Sequence, residues 1–178
     1  MVGEKKDLVS EILYEMIGNE GIRIINSLHR PSTDLQIHDK TQIPITRIRT
    51  TLNMMHKYNI VSYNSSRDEE KGWFKYTWQL KRDSIDPSVK TYLVTKMIRL
   101  KREFQEINQV DFFKCENGCI RVSFTIAYDG NFRCSKCNGI LKPVDSAAES
   151  RQIKRELAQI KRIIETFGPL PASLQNVG

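Results

Sequence analysis

The sequence predicts an α+β protein with a helical N-terminal domain that ends in a β-hairpin, a linking helix, a small cysteine-rich domain and a final amphipathic helix. Three observations predict this arrangement. Apolar residues recur at helical spacing in residues 8–58, two strand-like runs follow at 60–67 and 73–80, and the only four cysteines lie between residues 115 and 137. A length of 178 residues is sufficient for two small domains.

The N-terminal domain is predicted to contain three helices and a hairpin. Residues 8–17 and 22–28 form a first helical stretch that 18–21 interrupt, and Ser32-Thr33-Asp34 can cap a short helix that continues to about Lys40. Pro44 opens a third helix, and Asn59 is expected to end it in the left-handed conformation. Three helices followed by a two-stranded hairpin are typical of a winged helix-turn-helix domain.

The third helix, residues 44–58, occupies the recognition position of such a domain. Its inner face is predicted to hold Ile45, Ile48, Leu52 and Met55. It also carries the basic residues Arg47, Arg49 and Lys57 and no acidic residue, so contact with DNA is chemically possible. Sequence-specific reading is disfavoured, because Met54 lies centrally on the outward face and the hairpin tip, residues 68–70, is acidic.

The second strand of the hairpin separates its aromatic residues by face. Alternation places Phe74, Tyr76 and Trp78 on the side that we expect to face the core. Trp73 falls on the polar side beside the turn, where a large aromatic residue marks either a partner surface or local packing over the hairpin.

The four cysteines form the most specific motif, with the spacing Cys115-x3-Cys119-x14-Cys134-x2-Cys137. Four thiolates around one divalent cation require two tight turns that face each other, and each cysteine pair supplies one turn, here called a knuckle. Asn-Gly pairs at 117–118 and 138–139 tolerate the positive φ of such turns. The pattern predicts a zinc ribbon, with a hairpin between the knuckles and one structural Zn²⁺ bound by all four cysteines.

Two disulfides, four unrelated core cysteines and a rubredoxin-like iron centre are the alternatives. The N-terminus has no apolar signal segment and no run is long enough to span a membrane, which predicts an intracellular protein with reduced thiols. A catalytic zinc would need an open coordination position, whereas four cysteines close the site and His29, His38 and His56 lie far away in the sequence. The sequence therefore argues against an enzyme.

Two amphipathic helices, at 86–109 and 146–167, flank the cysteine-rich segment. We expect them to pack antiparallel through their apolar stripes, the alternative being that a stripe binds another protein. The predicted divisions are a winged helix-turn-helix domain at 1–82, a linking helix at 83–110, a zinc ribbon at 111–144, and a C-terminal helix with a disordered tail at 145–178.

One combination of features resembles a known family. The run Gly72-Trp73-Phe74-Lys75-Tyr76-Thr77-Trp78, followed by a linking helix, a four-cysteine ribbon and a final helix, resembles archaeal transcription factor E and the N-terminal half of the eukaryotic TFIIE alpha subunit. The resemblance covers residues 5–167. Two departures are the three-residue spacer of the first knuckle and the absence of the long acidic extension of eukaryotic relatives, which argues for an archaeal source.

The resemblance implies a non-enzymatic initiation factor that binds the clamp and stalk of RNA polymerase and favours promoter melting. It implies that Trp73 and Phe74 contact polymerase, and it places the domain near the melted non-template strand of promoter DNA. Arg47, Arg49, Lys57 and Lys75 are then the candidate DNA contacts. The TATA-binding protein and a beta subunit are further candidate partners, no membrane is involved, and the expected location is the archaeal cytoplasm at the nucleoid.

Charge and fold leave two competing functions open. The formal net charge is +7 with no long polybasic run, which favours weak, salt-sensitive contact with nucleic acid. A sequence-specific winged-helix regulator with a structural zinc ribbon would instead bind particular duplexes tightly without polymerase, usually as a dimer. A pure interaction module would neither bind polymerase nor affect melting.

Overall fold

The structure, a computed structural model, describes residues 2–67 and 72–168 and combines helices with small sheets, as predicted. The helices are α1 Val2–Ser27, α2 Asp34–Thr41, α3 Ile45–Lys57, α4 Ile85–Gln109, α5 Phe124–Asp129 and α6 Ser146–Thr166. The strands are β1 Val61–Arg67, β2 Phe74–Leu80, β3 Phe112–Cys115, β4 Arg121–Ser123 and β5 Leu141–Pro143. The chain divides into two compact units, Met1–Leu93 and Val94–Gly178, and α4 contributes residues to both.

Helix α1 is interrupted where the sequence predicted an interruption. Gly18 has φ 67° and ψ −178° inside the helix, a conformation that favours glycine. Gly21 is required for a different reason, because a Cβ at that position would lie 2.7 Å from the side chain of Ile17. The two glycines therefore have separate roles, one in backbone conformation and one in close packing.

Local signals define the ends of α2 and α3. The Thr33 hydroxyl accepts a hydrogen bond from the Gln36 N–H, and the Gln36 side chain accepts one from the Thr33 N–H, which forms a capping box at the start of α2. Pro44 precedes α3, and Asn59 follows it with φ 59°, as the sequence predicted.

The core of the first unit is built around the inner face of α3. Ile48, Leu52 and Met55 are fully buried, and Ile45 is half-buried at the start of the helix. They share the interior with further buried residues of α1, α2, β1 and α4, among them Ile24, Ile37, Val61 and Val89. The predicted inner face of this helix is thus confirmed.

Two backbone hydrogen bonds connect the hairpin to the segment before α2. The Ser32 N–H donates to the Trp78 carbonyl and the Trp78 N–H donates to the Ser32 carbonyl, both at 2.9 Å. Strands β1 and β2 pair antiparallel, from Val61 opposite Leu80 to Arg67 opposite Phe74.

The expectation that Phe74 and Tyr76 face the core is wrong. Both lie on the same face of the hairpin as Trp78, but Phe74 is 63% exposed and Tyr76 is 45% exposed, whereas Trp78 is only 6% exposed. Burial decreases along both strands away from Val61, so only the base of the hairpin is buried. Alternation identifies the face of a residue but not how far along the hairpin the core extends.

In the second unit, α4 and α6 pack antiparallel, as predicted. The Ser150 hydroxyl donates to the Asn108 side chain at 3.4 Å, and the Lys154 ammonium lies 5.2 Å from the centre of the Phe104 ring. Further along α6, Glu156 pairs with Lys96 at 3.2 Å. As the residue number increases along α6, from Ser150 to Glu156, the number of the α4 partner decreases, from Asn108 to Lys96. The two helices therefore run in opposite directions.

The cysteine-rich segment forms a three-stranded antiparallel sheet in the order β4-β3-β5. The prediction of a simple hairpin between the knuckles is wrong, because the short helix α5 lies there and buries Ala127 completely. Two predicted features, the acidic turn at 68–71 and the disordered tail beyond Gly168, fall on residues outside the described ones. Within the described residues, no helix combines the length and the apolar character that a membrane span requires.

Replacing Leu52 by Ala should destabilise the first unit by about 3 kcal/mol, because the change opens a cavity beside a fully buried face of α3. Asn53→Ala, on the exposed side of the same helix, should change stability by less than about 0.5 kcal/mol. Both tryptophans of the chain, Trp73 and Trp78, lie in this unit, so urea denaturation followed by tryptophan fluorescence measures its unfolding. Equal midpoints for the two variants would contradict the placement of Leu52 in the core.

Candidate metal centre and partner surface

The four cysteines converge at one end of the β4-β3-β5 sheet. Cys115 ends β3, Cys119 follows a tight turn, and Cys134 and Cys137 lie between α5 and β5. All four are free cysteines, and their sulfur atoms lie within 4.8 Å of one another, with 3.5 Å between those of Cys115 and Cys137. A tetrahedral ion with metal–sulfur bonds of about 2.3 Å needs sulfur atoms roughly 3.8 Å apart. The four thiolates therefore fit one metal ion.

Backbone turns bring the sulfur atoms together. In the first knuckle, the Gly118 N–H donates to the Cys115 carbonyl at 2.8 Å and Gly118 has φ 72°. In the second knuckle, the Asn138 N–H donates to the Cys134 carbonyl at 2.8 Å and Asn138 has φ 58°. The predicted positive φ is thus found at one residue of each Asn-Gly pair.

A small apolar cluster supports one side of the site. Cys115 and Cys134 are buried together with Ala127 and Leu141, and Phe113, Ile120, Val122 and Phe132 pack against them. Cys119 is half-buried and Cys137 is exposed. One side of the cysteine cluster thus faces the domain interior and the other faces solvent.

Hydrogen bonds distinguish the two outer thiols, Cys119 and Cys137. The pKa of Cys137 is lowered to about 6, chiefly by a hydrogen bond that the Asn117 side chain donates to its sulfur and next by the Gly139 N–H. The pKa of Cys119 is raised to about 12, chiefly by its hydrogen bond with Cys137. A metal ion binds cysteine as the thiolate, so binding at this site requires all four thiols to release their protons.

Two of the four predicted DNA contacts, Arg47 and Arg49, have their positive charge paired with a carboxylate in the structure. Arg47 forms two hydrogen bonds with the Glu20 carboxylate, at 3.0 and 3.1 Å, and Arg49 donates to Asp34 at 2.6 Å. The carboxylates come from α1 and α2, so their pairing could not be read from α3 alone. Lys57 lies exposed in the last turn of α3, and Lys75 lies exposed on the polar face of the hairpin.

The outer half of the hairpin exposes aromatic side chains, here called the hairpin aromatic surface: Tyr63, Phe74 and Tyr76 share one face of the paired strands, and Trp73 lies beside the turn, immediately before β2. Trp73 is 76% exposed and Tyr63 is 43% exposed. The Tyr63 ring lies 5.3 Å from that of Tyr76 and 5.0 Å from that of the buried Trp78, between centres. Ring contacts thus lead from the buried Trp78 through Tyr63 to the exposed Tyr76. Sequence analysis missed Tyr63 and the exposure of Phe74 and Tyr76.

Comparison with known proteins gives consistent matches. The sequence model of the TFIIE alpha subunit family matches residues 7–108. Transcription factor E of Methanococcus aeolicus is 28% identical over 158 residues, which cover 86% of this chain and 91% of the relative. Transcription factor E of Methanothrix thermoacetophila is 25% identical, covering 90% of this chain and 96% of the relative, and that of Saccharolobus islandicus is 26% identical, covering 94% and 96%.

Among solved structures, a possible transcriptional regulator from Methanosarcina mazei is 13% identical and aligns with a TM-score of 0.40, over 55% of this chain and 87% of that one; this similarity is too low to support any argument. The family match covers more than half of the chain and agrees with the relatives that span most of it. It confirms the resemblance noted in the sequence: the chain belongs to the TFIIE alpha subunit family, a family of transcription factors and not of enzymes.

Proposed function

We propose that this chain is a general transcription initiation factor that binds RNA polymerase and stabilises the open promoter complex. The single observation that carries the proposal beyond family membership is the hairpin aromatic surface, which is exposed on a domain whose α3 arginines are paired with carboxylates. Such a domain is better suited to binding protein than to reading duplex DNA.

The proposal assigns a fold to each unit. Helices α1, α2 and α3 followed by the β1-β2 hairpin support a winged helix-turn-helix domain, with α3 in the recognition position and the hairpin as its wing. The sheet β4-β3-β5 and the four clustered cysteines support a zinc ribbon. The first unit would contact the polymerase clamp and the second would lie near the stalk, as the family resemblance implies.

The hairpin aromatic surface has the composition of an interface centre. Tyrosine and tryptophan dominate the binding energy of protein interfaces, and each large aromatic residue can bury roughly 150–250 Å² of surface. Trp73 and Phe74 are the most exposed of the four residues, at 76% and 63%, and therefore have the most surface to bury against a partner. We assign both as polymerase contacts.

Contact with DNA would be weak and would serve the open complex. Pairing with Glu20 and Asp34 reduces the net charge that Arg47 and Arg49 offer to phosphates, which leaves Lys57 and Lys75 as the stronger candidates. Weak contact is sufficient, because only the difference in affinity between open and closed complexes shifts their ratio. A difference of about 1.4 kcal/mol shifts that ratio tenfold.

The metal proposed for the four cysteines is one structural Zn²⁺. Zinc is the ion that four tetrahedral thiolates typically hold, and when bound it would join the two knuckles and supply folding free energy. Because all four ligands are cysteines, the site has no open position for catalysis. The TATA-binding protein and a beta subunit remain candidate partners on the family resemblance alone.

Trp73→Ala and Phe74→Ala should each weaken retention of RNA polymerase, and the double variant should lose most of it, by roughly tenfold or more in affinity. The measurement is co-purification of the tagged chain with polymerase from an archaeal extract. Tyr14→Ala removes an aromatic side chain that is 59% exposed on α1 of the same unit and is the matched control.

If polymerase binds the wild type and both hairpin variants equally, the hairpin aromatic surface is not the contact. If the wild type does not bind polymerase but binds particular duplexes tightly, the sequence-specific regulator replaces the initiation factor. Absence of both activities would favour a pure interaction module.

Combined Lys57→Glu and Lys75→Glu substitutions should lower open-complex yield at a weakly melting promoter several-fold, because they reverse two charges that approach DNA phosphates. Permanganate reactivity of unpaired thymines measures the yield, and polymerase retention measured in parallel separates loss of DNA contact from loss of polymerase contact. Arg30→Glu, another exposed charge in the first unit, is the control. An unchanged yield after adding Arg47→Glu and Arg49→Glu would rule out all four residues as DNA contacts.

Removing zinc from the loaded protein should unfold the cysteine-rich domain and spare the first unit. About thirty residues cannot bury enough apolar surface to fold alone, so metal binding supplies the missing free energy. Hydrogen exchange followed by mass spectrometry should show lost protection at residues 112–143 and unchanged protection in α3, and added zinc should restore the loss. Loss of protection in α3 as well would contradict two independently folded domains.

A further inference from the structure

The three-residue spacer of the first knuckle, Glu116-Asn117-Gly118, contacts both knuckles. The Asn117 N–H donates to the sulfur of Cys115 at 3.4 Å, within its own knuckle. The Asn117 side-chain amide donates to the sulfur of Cys137 at 3.5 Å, across the site and 20 residues away in the chain. One residue therefore provides a hydrogen bond to a sulfur atom on each side of the cluster.

The position of Gly139 leaves room for this amide. A Cβ at residue 139 would lie 3.0 Å from Asn117 Nδ2 and 3.3 Å from the sulfur of Cys137. Gly139 is absent from the residues with positive φ, so its backbone conformation is not what requires glycine. The absence of a side chain there keeps the approach between Asn117 and Cys137 open.

Glu116 fixes the spacer against the second knuckle. Its N–H donates to the Ile140 carbonyl at 3.0 Å, and its carboxylate accepts the Ile140 N–H at 3.1 Å. The same carboxylate lies 3.5 Å from the Lys142 ammonium. These contacts hold the backbone next to Asn117 against the second knuckle.

Cys137 is the cysteine that most needs such a contact. It is the exposed member of the cluster, while Cys115 and Cys134 are buried. Four thiolates and one divalent cation carry two net negative charges, and an N–H donor next to a sulfur offsets part of that charge. Hydrogen bonds from outside the ligand set also keep metal ligands in orientation, and their loss commonly weakens metal binding tenfold or more.

We propose that Asn117 is a positioning residue of the metal centre: its side-chain amide holds the exposed Cys137 thiolate at the ion and slows release of the metal. The extra residue of the first knuckle thereby compensates for the exposure of a ligand in the second. This inference rests on the proposed zinc site. The experiment distinguishes failure of the zinc site from failure of the role proposed for Asn117.

The test uses the full-length zinc-loaded chain and measures zinc transfer to a chromogenic chelator. Asn117→Ala should release zinc about 3- to 10-fold faster than the wild type. Ser135→Ala, which alters the turn between the two cysteines of the second knuckle, is the control and should release zinc at the wild-type rate. Gly139→Ala should also accelerate release, because its Cβ crowds both the Asn117 amide and the sulfur of Cys137.

The double variant tests whether both changes act through the same hydrogen bond. Gly139→Ala should accelerate release less in an Asn117→Ala protein than in the wild type, since the amide that the methyl group crowds is already absent and only the contact with the Cys137 sulfur remains. Cobalt substitution gives an independent measurement. Loss of an N–H donor raises the energy of the sulfur electrons, so the sulfur-to-cobalt charge-transfer band of Asn117→Ala should move to longer wavelength.

Wild-type release rates and an unshifted band in Asn117→Ala would overturn the role of Asn117 while the metal site stands. If the wild type binds neither zinc nor cobalt, the zinc proposal and this inference both fail. If Asn117→Ala does not bind metal, the role of Asn117 is tested by the band position and the release rate of Gly139→Ala. Wild-type values of both quantities in that variant would overturn the inference.

Discussion

The pair of backbone hydrogen bonds between Ser32 and Trp78 determines how the first unit presents its hairpin. These bonds attach β2 to the segment that leads into α2, at the one position where an aromatic residue of the hairpin is buried. The parts of β1 and β2 between this position and the turn extend away from the core, because their residues become more exposed toward the turn. The exposure of Phe74 and Tyr76 follows from that attachment point, and so does the surface that we propose for polymerase.

The second unit depends on a different constraint. The apolar cluster of its cysteine-rich domain is small, and two of the buried residues, Cys115 and Cys134, belong to the cysteine cluster itself. Core packing and metal binding thus share the same side chains. The same sulfur atoms that would bind the ion close the interior, so the order of the domain and the occupancy of the site are coupled.

Features set by neighbours in the sequence could be predicted, and features set by distant contacts could not. The cap of α2 and the left-handed Asn59 depend on a few adjacent residues: the sequence predicted a cap within Ser32-Thr33-Asp34, which the structure places at Thr33, and it predicted the conformation of Asn59. The pairing of Arg47 with Glu20 spans 27 residues, and no local pattern reveals it. The cysteine spacing predicted which residues cluster, whereas the bond from Asn117 to Cys137 depends on how the knuckles face each other.

The close approach of Gly139 to Asn117 also has a consequence for how this domain can evolve. In a relative that has no amide at the position of Asn117, a side chain at the position of Gly139 would meet one close neighbour fewer, and the sulfur of Cys137 would remain. The two positions should therefore change together, and the residue present in one knuckle restricts the amino acids allowed in the other. Substitution histories at 117 and 139 would be linked although 22 positions separate them in the chain.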